Sequence, residues 1–594
     1  MMKRMTAEGG AAGMKKLKTR WTDQVLERPD QVLAEYPRPS MRRESYVNLN
    51  GYWDYVITGR GKRPEQYAGK ILVPFSPEAP LSGVERSLHP SQVLWYRRSL
   101  PAAVRRRPGR RWLLHFGAVD QFAAVYVNKK LVTKHLGGYL PFSADVTDFL
   151  REEENELVVG VRDLTDRTYY SRGKQKLIRG GMFYTAQSGI WQTVWMEEVP
   201  ELHVERLRVT PLYDQEAVEV TVCSRGMGIA LVTVYAEDMQ PWEVEGEVNE
   251  PIRIPVPRMR PWTPEEPFLY SLSVDFGEDR VDSYFAMRKI SVSLDGEGIP
   301  RTFLNGRPYF QRGVLDQGYW PDGLYTAPCD EALEFDIKEM KRLGFNMLRK
   351  HIKIEPERWY YHCDRLGMLV WQDMVCGGRP FRRWYVTYLA NGLELFHIRF
   401  TDRTYRLLGR GEEKSREQFV EELRETIRLL WNHPSIVTWV LFNEGWGQFD
   451  AEEVTDLARE ADPYRLIDQA SGWFDQGGGD FRSIHNYFFK LRFRKEERVQ
   501  ALTEFGGFCW RCREHSMSGK VYGYRIYGSR RELSAGYGRL MREVASHIGE
   551  GLSVTVYTQL SDVEEEVNGI YTYDREVLKI EEEVLAEWNE KCRI

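Results

Sequence analysis

The 594-residue sequence predicts two β-sandwich domains followed by a (β/α)8 barrel, and three observations carry that prediction. The length exceeds what a single hydrophobic core serves, so several domains are expected. Residues 41–198 and 199–290 consist of short alternating runs divided by turn residues, the pattern of half-buried antiparallel strands. From about residue 300 the strand-like runs are separated by helical patterns, which marks parallel βα units, and the barrel takes residues 291–594.

The leading segment, 1–40, is basic and small-residue-rich from Met1 to Arg20 but lacks the run of roughly 7–15 apolar residues that a secretory signal needs. No later stretch approaches about 18 apolar residues, so a cytoplasmic protein with no membrane partner is expected. In 41–198, Trp112-Leu113-Leu114-His115-Phe116 and Ala123-Ala124-Val125-Tyr126-Val127 are bounded by the turns Asn128-Lys129-Lys130 and Gly137-Gly138. In 199–290, the runs Leu207 to Pro211, Val218 to Val222 and Leu231 to Tyr235 have the spacing of an immunoglobulin-like domain. The prolines between Pro255 and Pro267 oppose a long helix there.

Eight barrel strands can be counted: Tyr309 to Val314, Asn346 to Arg349, Met368 to Gln372, Val437 to Phe442, Arg465 to Gln469, Ile484 to Tyr487, Ala501 to Thr503 and Leu552 to Tyr557. Between the first two, Asp330 to Lys341 has helical spacing of its apolar residues. The interval after the third, about 376–436, is too long for an ordinary βα loop and is expected to cover the substrate mouth.

Composition narrows the function. The 83 basic and 87 acidic residues are scattered and leave a net charge of −4, so neither nucleic acid nor an anionic membrane is the expected partner. The aromatic content of 13%, with 18 Trp, suits sugars, whose C–H faces pack on flat rings. Seven cysteines, an odd number, fit free thiols better than a disulfide framework. Cys509 and Cys512, near His515, lack the second cysteine pair of a zinc site.

Phe442-Asn443-Glu444-Gly445-Trp446 and Thr503-Glu504-Phe505-Gly506-Gly507 each close a β-type apolar run. A carboxylate at a buried strand end is costly unless paired, and the C-terminal mouth of a barrel is where active sites form. Two glutamates there, about 5 Å apart, would supply the proton donor and the ionised nucleophile of a retaining glycosidase. Either motif alone is equally well a solvated or salt-bridged strand end.

With Leu49-Asn50-Gly51-Tyr52-Trp53, Trp95-Tyr96-Arg97-Arg98, Ser188-Gly189-Ile190-Trp191, Leu304-Asn305-Gly306-Arg307 and Asn432-His433-Pro434-Ser435-Ile436 in the same order, the chain resembles glycoside hydrolase family two over nearly its whole length. The resemblance implies a jelly-roll sugar-binding domain, an immunoglobulin-like domain and a catalytic TIM barrel. It makes Glu444 the acid/base and Glu504 the nucleophile. Asn443 would bind the sugar 2-hydroxyl, although a strand-end cap reads the same way. Tyr487 would touch the nucleophile, or simply fill the barrel. Arg349, His351 and His485 join the substrate-binding set, and so does Asp316, whose position before Gly318 is also ordinary turn chemistry.

Two departures from the family shape the expectations. The magnesium ligands of the large bacterial β-galactosidases have no match in Asp373-Met374-Val375-Cys376-Gly377-Gly378, so no metal or other cofactor is expected. The Asn-x-Lys that reads a uronate should precede Gly569, where Glu564-Glu565-Glu566-Val567-Asn568 stands instead, and an acidic run disfavours glucuronides. The expected substrate is therefore a neutral carbohydrate, β-galactoside first, with β-mannoside, α-L-arabinopyranoside and β-galactofuranoside behind, and β-glucuronide kept as a further alternative within the family. A catalytically silent carbohydrate-binding protein is the alternative of another class, opposed by the presence of both glutamates. Self-association into a homo-oligomer stays open.

Overall fold

The computed structural model describes residues 15–59, 62–237, 239–389, 400–493 and 496–594. In the first sandwich, Tyr46–Asn48, Arg110–Phe116, Phe142–Asp145 and Val194–Pro200 make one antiparallel sheet. Gly51–Gly59, Gly69–Val73, Gln92–Ser99, Phe122–Val127, Lys130–Leu136 and Glu156–Arg162 make the other. Alternation does the sorting: Ala123, Val125 and Val127 enter a core with Trp53, Tyr96 and Val159, while their neighbours stay partly exposed.

The second sandwich sets Arg206–Leu212, Ala217–Cys223 and Pro251–Pro255 against Ile229–Tyr235, Trp242–Glu247, Tyr270–Phe276 and Asp279–Phe285. Val209, Val220, Val232 and Leu272 fill the space between. Arg43 ties the two domains together. Its buried guanidinium donates to Asp279 Oδ1 and Oδ2 at 2.9 and 2.8 Å and to Glu197 Oε2 at 2.8 Å. Tyr284 then reaches the barrel, its hydroxyl donating to Asp364 Oδ2 at 2.7 Å.

The barrel strands are Gln311–Asp316, Met347–Lys350, Leu369–Asp373, Ile436–Asn443, Leu466–Ser471, Phe481–Asn486, Val499–Gly506 and Leu552–Thr558. The first pairs with both the second and the eighth, all in parallel. Among the described residues no ladder joins the fifth to the sixth, although they lie side by side, so the barrel is nearly closed. Each strand overlaps its sequence-predicted run, and the helix Asp330–Arg342 falls where the apolar spacing placed it.

The interval after the third strand is less open than expected. Glu413–Leu430 is a helix whose Phe419, Leu423, Ile427 and Leu430 pack on the barrel, which shortens the irregular part to about residues 376–412. Within it Trp384–Leu389 forms a π-helical turn, and 390–399 lie outside the described residues. No helix among the described residues is long and apolar enough to cross a membrane.

A segment of the first domain, residues 169–185, is built into the barrel mouth. The amides of Arg172 and Gly173 donate to the Cys376 carbonyl at 2.9 and 3.0 Å, and Gly378 donates back to Tyr169 at 2.8 Å. At its far end the Thr185 amide and the Arg179 guanidinium donate to Glu564 at 2.9 and 3.0 Å, and the Tyr184 hydroxyl donates to Glu566. Gly173, with φ +59°, sits where a Cβ would lie 2.9 Å from both the Ile352 carbonyl and the Tyr325 hydroxyl. Gly109 has a similar φ of +70° with open space around it. Gly109→Val should cost only the left-handed backbone strain, about 1–2 kcal/mol. Gly173→Val adds overpacking and should lose about 1–3 kcal/mol more. Urea unfolding midpoints of the two variants give the comparison, and equal losses would contradict the close packing of this segment.

Candidate functional site

The fourth strand is buried along its whole length and ends abruptly, because Glu444 adopts φ +52° and its amide turns to donate to the Ser471 carbonyl at 2.9 Å. The seventh strand is equally buried, and its ladder to the eighth slips between Leu502 and Phe505, around Glu504. The sixth slips beside His485. Such bulges re-aim a side chain toward a site. Glu444, Glu504 and His485 consequently converge, each offering a donor atom within 4.8 Å of the others.

Arg349 organises this cluster. Fully buried at the end of the second strand, it makes a two-pronged pair with Asp373 at 2.9 and 3.0 Å and donates to Glu504 Oε1 at 3.2 Å and to the Thr503 carbonyl at 3.1 Å. It also donates to Asn443 Oδ1 at 2.8 Å, which fixes the orientation of that amide. Asn443 Nδ2 is left buried and without a partner. An orphaned donor of this kind costs about 1–3 kcal/mol unless something binds it. His351 Nδ1 shares Asp373 Oδ2 at 2.8 Å, and burial holds this imidazole well below its ordinary pKa.

The nucleophile candidate is held from its other side by Tyr487, whose hydroxyl donates to Glu504 Oε2 at 2.6 Å and whose ring stacks on Tyr524 at 3.8 Å. His485 bridges the two glutamates. Its Nδ1 lies 3.0 Å from Glu444 Oε1 and its Nε2 lies 3.6 Å from Glu504 Oε1, with Ser471 Oγ at 2.9 Å. Both ring nitrogens are thus engaged within the protein, which fits a hydrogen-bonding bridge better than a metal ligand.

The two carboxylates are driven apart in acidity. Burial raises Glu444, the charge of Glu504 adds to it, and the hydrogen bond from His485 only partly offsets them. Burial also opposes ionisation of Glu504, but His485, Arg349 and Lys174 outweigh it and bring the group to about 2. One carboxyl is favoured as an acid and one as an anion.

Six of the eight sequence-predicted residues therefore meet around the glutamate pair, or seven with His351 behind Arg349. Asp316 does not. Its Oδ2 accepts from Lys350 at 2.6 Å and its Oδ1 from the Gly318 amide at 2.8 Å, so a buried ion network with Lys350 and Glu355 occupies it. The turn reading describes it better. Cys509 is buried with its Sγ toward the Tyr522 carbonyl at 3.4 Å, and burial pushes its thiol up to about 12. His515 is paired instead with Asp574. The acidic run before Gly569 faces protein: Glu566 accepts from Tyr184 and Asn568, and Glu564 from Arg179 and Thr185.

The sequence reading missed Asp373, which anchors Arg349 and His351, although its place at the end of the third strand was a signal of the same kind as Glu444. It also missed Lys174. This lysine, 7% exposed, comes from the first domain and lies within electrostatic reach of both glutamates. Its ammonium stands 5.6 Å from the Tyr184 ring and 6.0 Å from the Trp446 ring, and among the described residues it has no hydrogen-bond or ion-pair partner. Nothing in local sequence pattern joins residue 174 to residue 444.

Comparison with known proteins places the chain. The model of the glycosyl hydrolases family 2 TIM barrel domain matches residues 303–503, and that of the family's sugar binding domain matches 88–200, together more than half of the chain. A β-galactosidase of Thermoanaerobacter pseudethanolicus is 25% identical over 63% of this chain and 48% of its own. A β-glucuronidase of Canis lupus familiaris is 24% identical over 69% and 65%. The chain spans about half the length of the first curated relatives it matches. Among solved structures, a β-D-glucuronidase of Dictyoglomus thermophilum superposes with a TM-score of 0.72 at 19% identity, over 93% of this chain and 98% of the other. A β-galacturonidase of Eisenbergiella tayi gives 0.67 at 19%, over 93% and 99%. The two matched domains, in this order and around this barrel, make the chain a member of glycoside hydrolase family 2.

Proposed function

We propose that the protein is a retaining exo-β-glycosidase working by double displacement, with Glu504 as nucleophile and Glu444 as acid/base. The observation that carries this reading is the carboxylate pair within 4.8 Å whose members are shifted in opposite directions. That closeness suits direct attack by one carboxylate, since the carboxyl groups of retaining pairs stand about 5–5.5 Å apart and those of inverting pairs about 6.5–9.5 Å. Ionised Glu504 attacks the anomeric carbon while Glu444 protonates the departing glycosidic oxygen. Glu444, now a base, takes a proton from the water that releases the glycosyl group. The free Nδ2 of Asn443 receives the sugar 2-hydroxyl, a contact that strengthens as positive charge develops on the ring.

For the sugar, we favour a neutral one, β-galactoside first. The amide of Asn568 is taken by Glu566 and its carbonyl by Gln559, so the position before Gly569 offers a uronate no unengaged donor. Lys174 supports a second reading, a β-uronidase in which the first domain supplies the carboxylate-binding cation. A panel of nitrophenyl glycosides separates the two. The best neutral β-glycoside should exceed the matching glucuronide and galacturonide at least about tenfold in kcat/KM, since one charge-assisted contact contributes about 1.5–3 kcal/mol. A uronide that wins, and loses its advantage in Lys174→Gln, would establish the second reading.

Glu504→Gln should be nearly inactive, because no covalent intermediate can form. Glu444→Ala should lose far more rate on substrates with poor leaving groups than on dinitrophenyl glycosides, and azide should restore turnover. The pH profile carries a sign: Glu444 must be protonated to act, and its pKa is raised, so kcat/KM of the wild type should fall on the alkaline side of the ordinary glutamate range. With an activated dinitrophenyl substrate, Glu444→Ala should lose that limb. An unchanged alkaline limb would reassign the acid.

Glu444, His485 and Glu504 are also close enough to hold a cation. With the acid/base assignment, extended dialysis against a chelator should leave activity intact. A loss restored by added divalent metal would replace that assignment.

A further inference from the structure

Beside Trp446, two residues past Glu444, the first domain and the loop after the third barrel strand line an open pocket. Its wall is a stack of rings: Phe183 lies on Trp446 at 5.5 Å and Phe381 lies on Trp446 at 5.9 Å. Three cations line it, Arg172 and Lys176 from the first domain and Arg383 from the loop, against the single carboxylate of Asp166. Arg172 donates to the Gly378 carbonyl. Among the described residues, Lys176 and Arg383 have no ion-pair partner. The Lys176 ammonium sits 3.6 Å from the centre of the Phe183 ring, and Arg383 approaches the same ring at 5.9 Å.

Like charges gathered around one concavity repel one another, and the Asp166 carboxylate and the Phe183 ring offset this only in part. Burial lowers the Lys176 pKa, and Arg383 and Arg172 lower it further. An arrangement of this kind is relieved by an anion. Trp446 fixes which part of a substrate that anion belongs to. The Trp446 ring also lies 6.0 Å from the Lys174 ammonium, which reaches both glutamates, so the pocket adjoins the cleft, and with Glu444 as the acid/base it takes the leaving-group side.

We propose that this pocket is an acceptor-side subsite for a sugar carrying an oxyanion, a sulfate or a carboxylate, with Lys176 and Arg383 reading the charge and Phe183, Trp446 and Phe381 supporting the ring. The assignment of side rests on the glycosidase reading above. The natural substrate class is then an acidic glycan from which a terminal sugar is removed. This differs from a uronidase, in which the anion sits on the sugar that forms the covalent intermediate.

The test is calorimetric titration of the full chain with galactose 6-sulfate, galacturonate and galactose, on wild type and on the Lys176→Gln/Arg383→Gln double variant. At least one of the two anionic sugars should bind about tenfold or more tightly than galactose, a factor typical of one charge-assisted contact. The advantage should vanish in the double variant and weaken in added salt. The sulfate and carboxylate arms show which oxyanion is preferred. Equal affinity for all three sugars, absence of binding by any, or an advantage that survives in the double variant would each overturn the subsite. A protein that keeps the advantage yet hydrolyses no aryl glycoside would refute the glycosidase reading and leave the anion site standing. Hydrolysis without any anion preference would do the reverse.

Discussion

The ion pair between Arg349 and Asp373 holds the site together. A buried guanidinium is costly to desolvate, and the two-pronged geometry with Asp373 recovers that cost while leaving one edge of the fork for Glu504 and Asn443. Four strand ends, the second, third, fourth and seventh, are thereby held in register by one side chain. Removing the arginine would leave Asp373 and Glu504 as uncompensated buried charges, a loss in the range of about 3–5 kcal/mol. Arginine is needed for its planar fork, because lysine would satisfy one carboxylate at a time.

The same pair contributes to the difference in acidity between two chemically identical glutamates. Glu504 lies at the Arg349 fork and also accepts from Tyr487, so its charge is stabilised twice. Glu444, across the bridge of His485, receives no arginine, and its contacts with His485 offset only part of the penalty of burial. Asn443 adds to the arrangement: its carbonyl completes the fork, and its amide nitrogen is left buried without a partner. The difference in acidity follows from the positive charge that reaches Glu504, from His485 first and from the arginine second.

Much of this was legible in the sequence because barrel strands are short, nearly continuous apolar runs, and a carboxylate closing such a run stands out. All eight strands, Glu444, Glu504, Asn443, Tyr487 and Arg349 were found that way or by family likeness. Asp316 shows the limit. A strand-end aspartate is also a good partner for a buried lysine, and only the fold reveals that Lys350 lies beside it. The helix Glu413–Leu430 was hidden inside an interval treated as one loop, although its apolar residues at four-residue spacing were on view. Lys174 was not legible at all, since its place at the barrel mouth depends on how one domain docks on another.

That docking changes the meaning of charge in this chain. Glu564, Glu565 and Glu566 form an acidic run in sequence, and a charge count suggests a pocket floor that repels anions. In the fold Glu564 and Glu566 hold segment 179–185, and the Gly181 amide donates to Glu565 at 3.3 Å. Their role at the mouth is to fasten a piece of the first domain there. What that piece then presents to the cavity is the basic run Arg172-Gly173-Lys174-Gln175-Lys176, with Lys174 toward the glutamates and Arg172 and Lys176 toward the pocket beside Trp446. The acidic residues thus act as the fastening for a cationic wall. Among the described residues, the charges at the mouth left without an ion pair after the domains have packed include Lys174, Lys176 and Arg383, contributed from outside the barrel core.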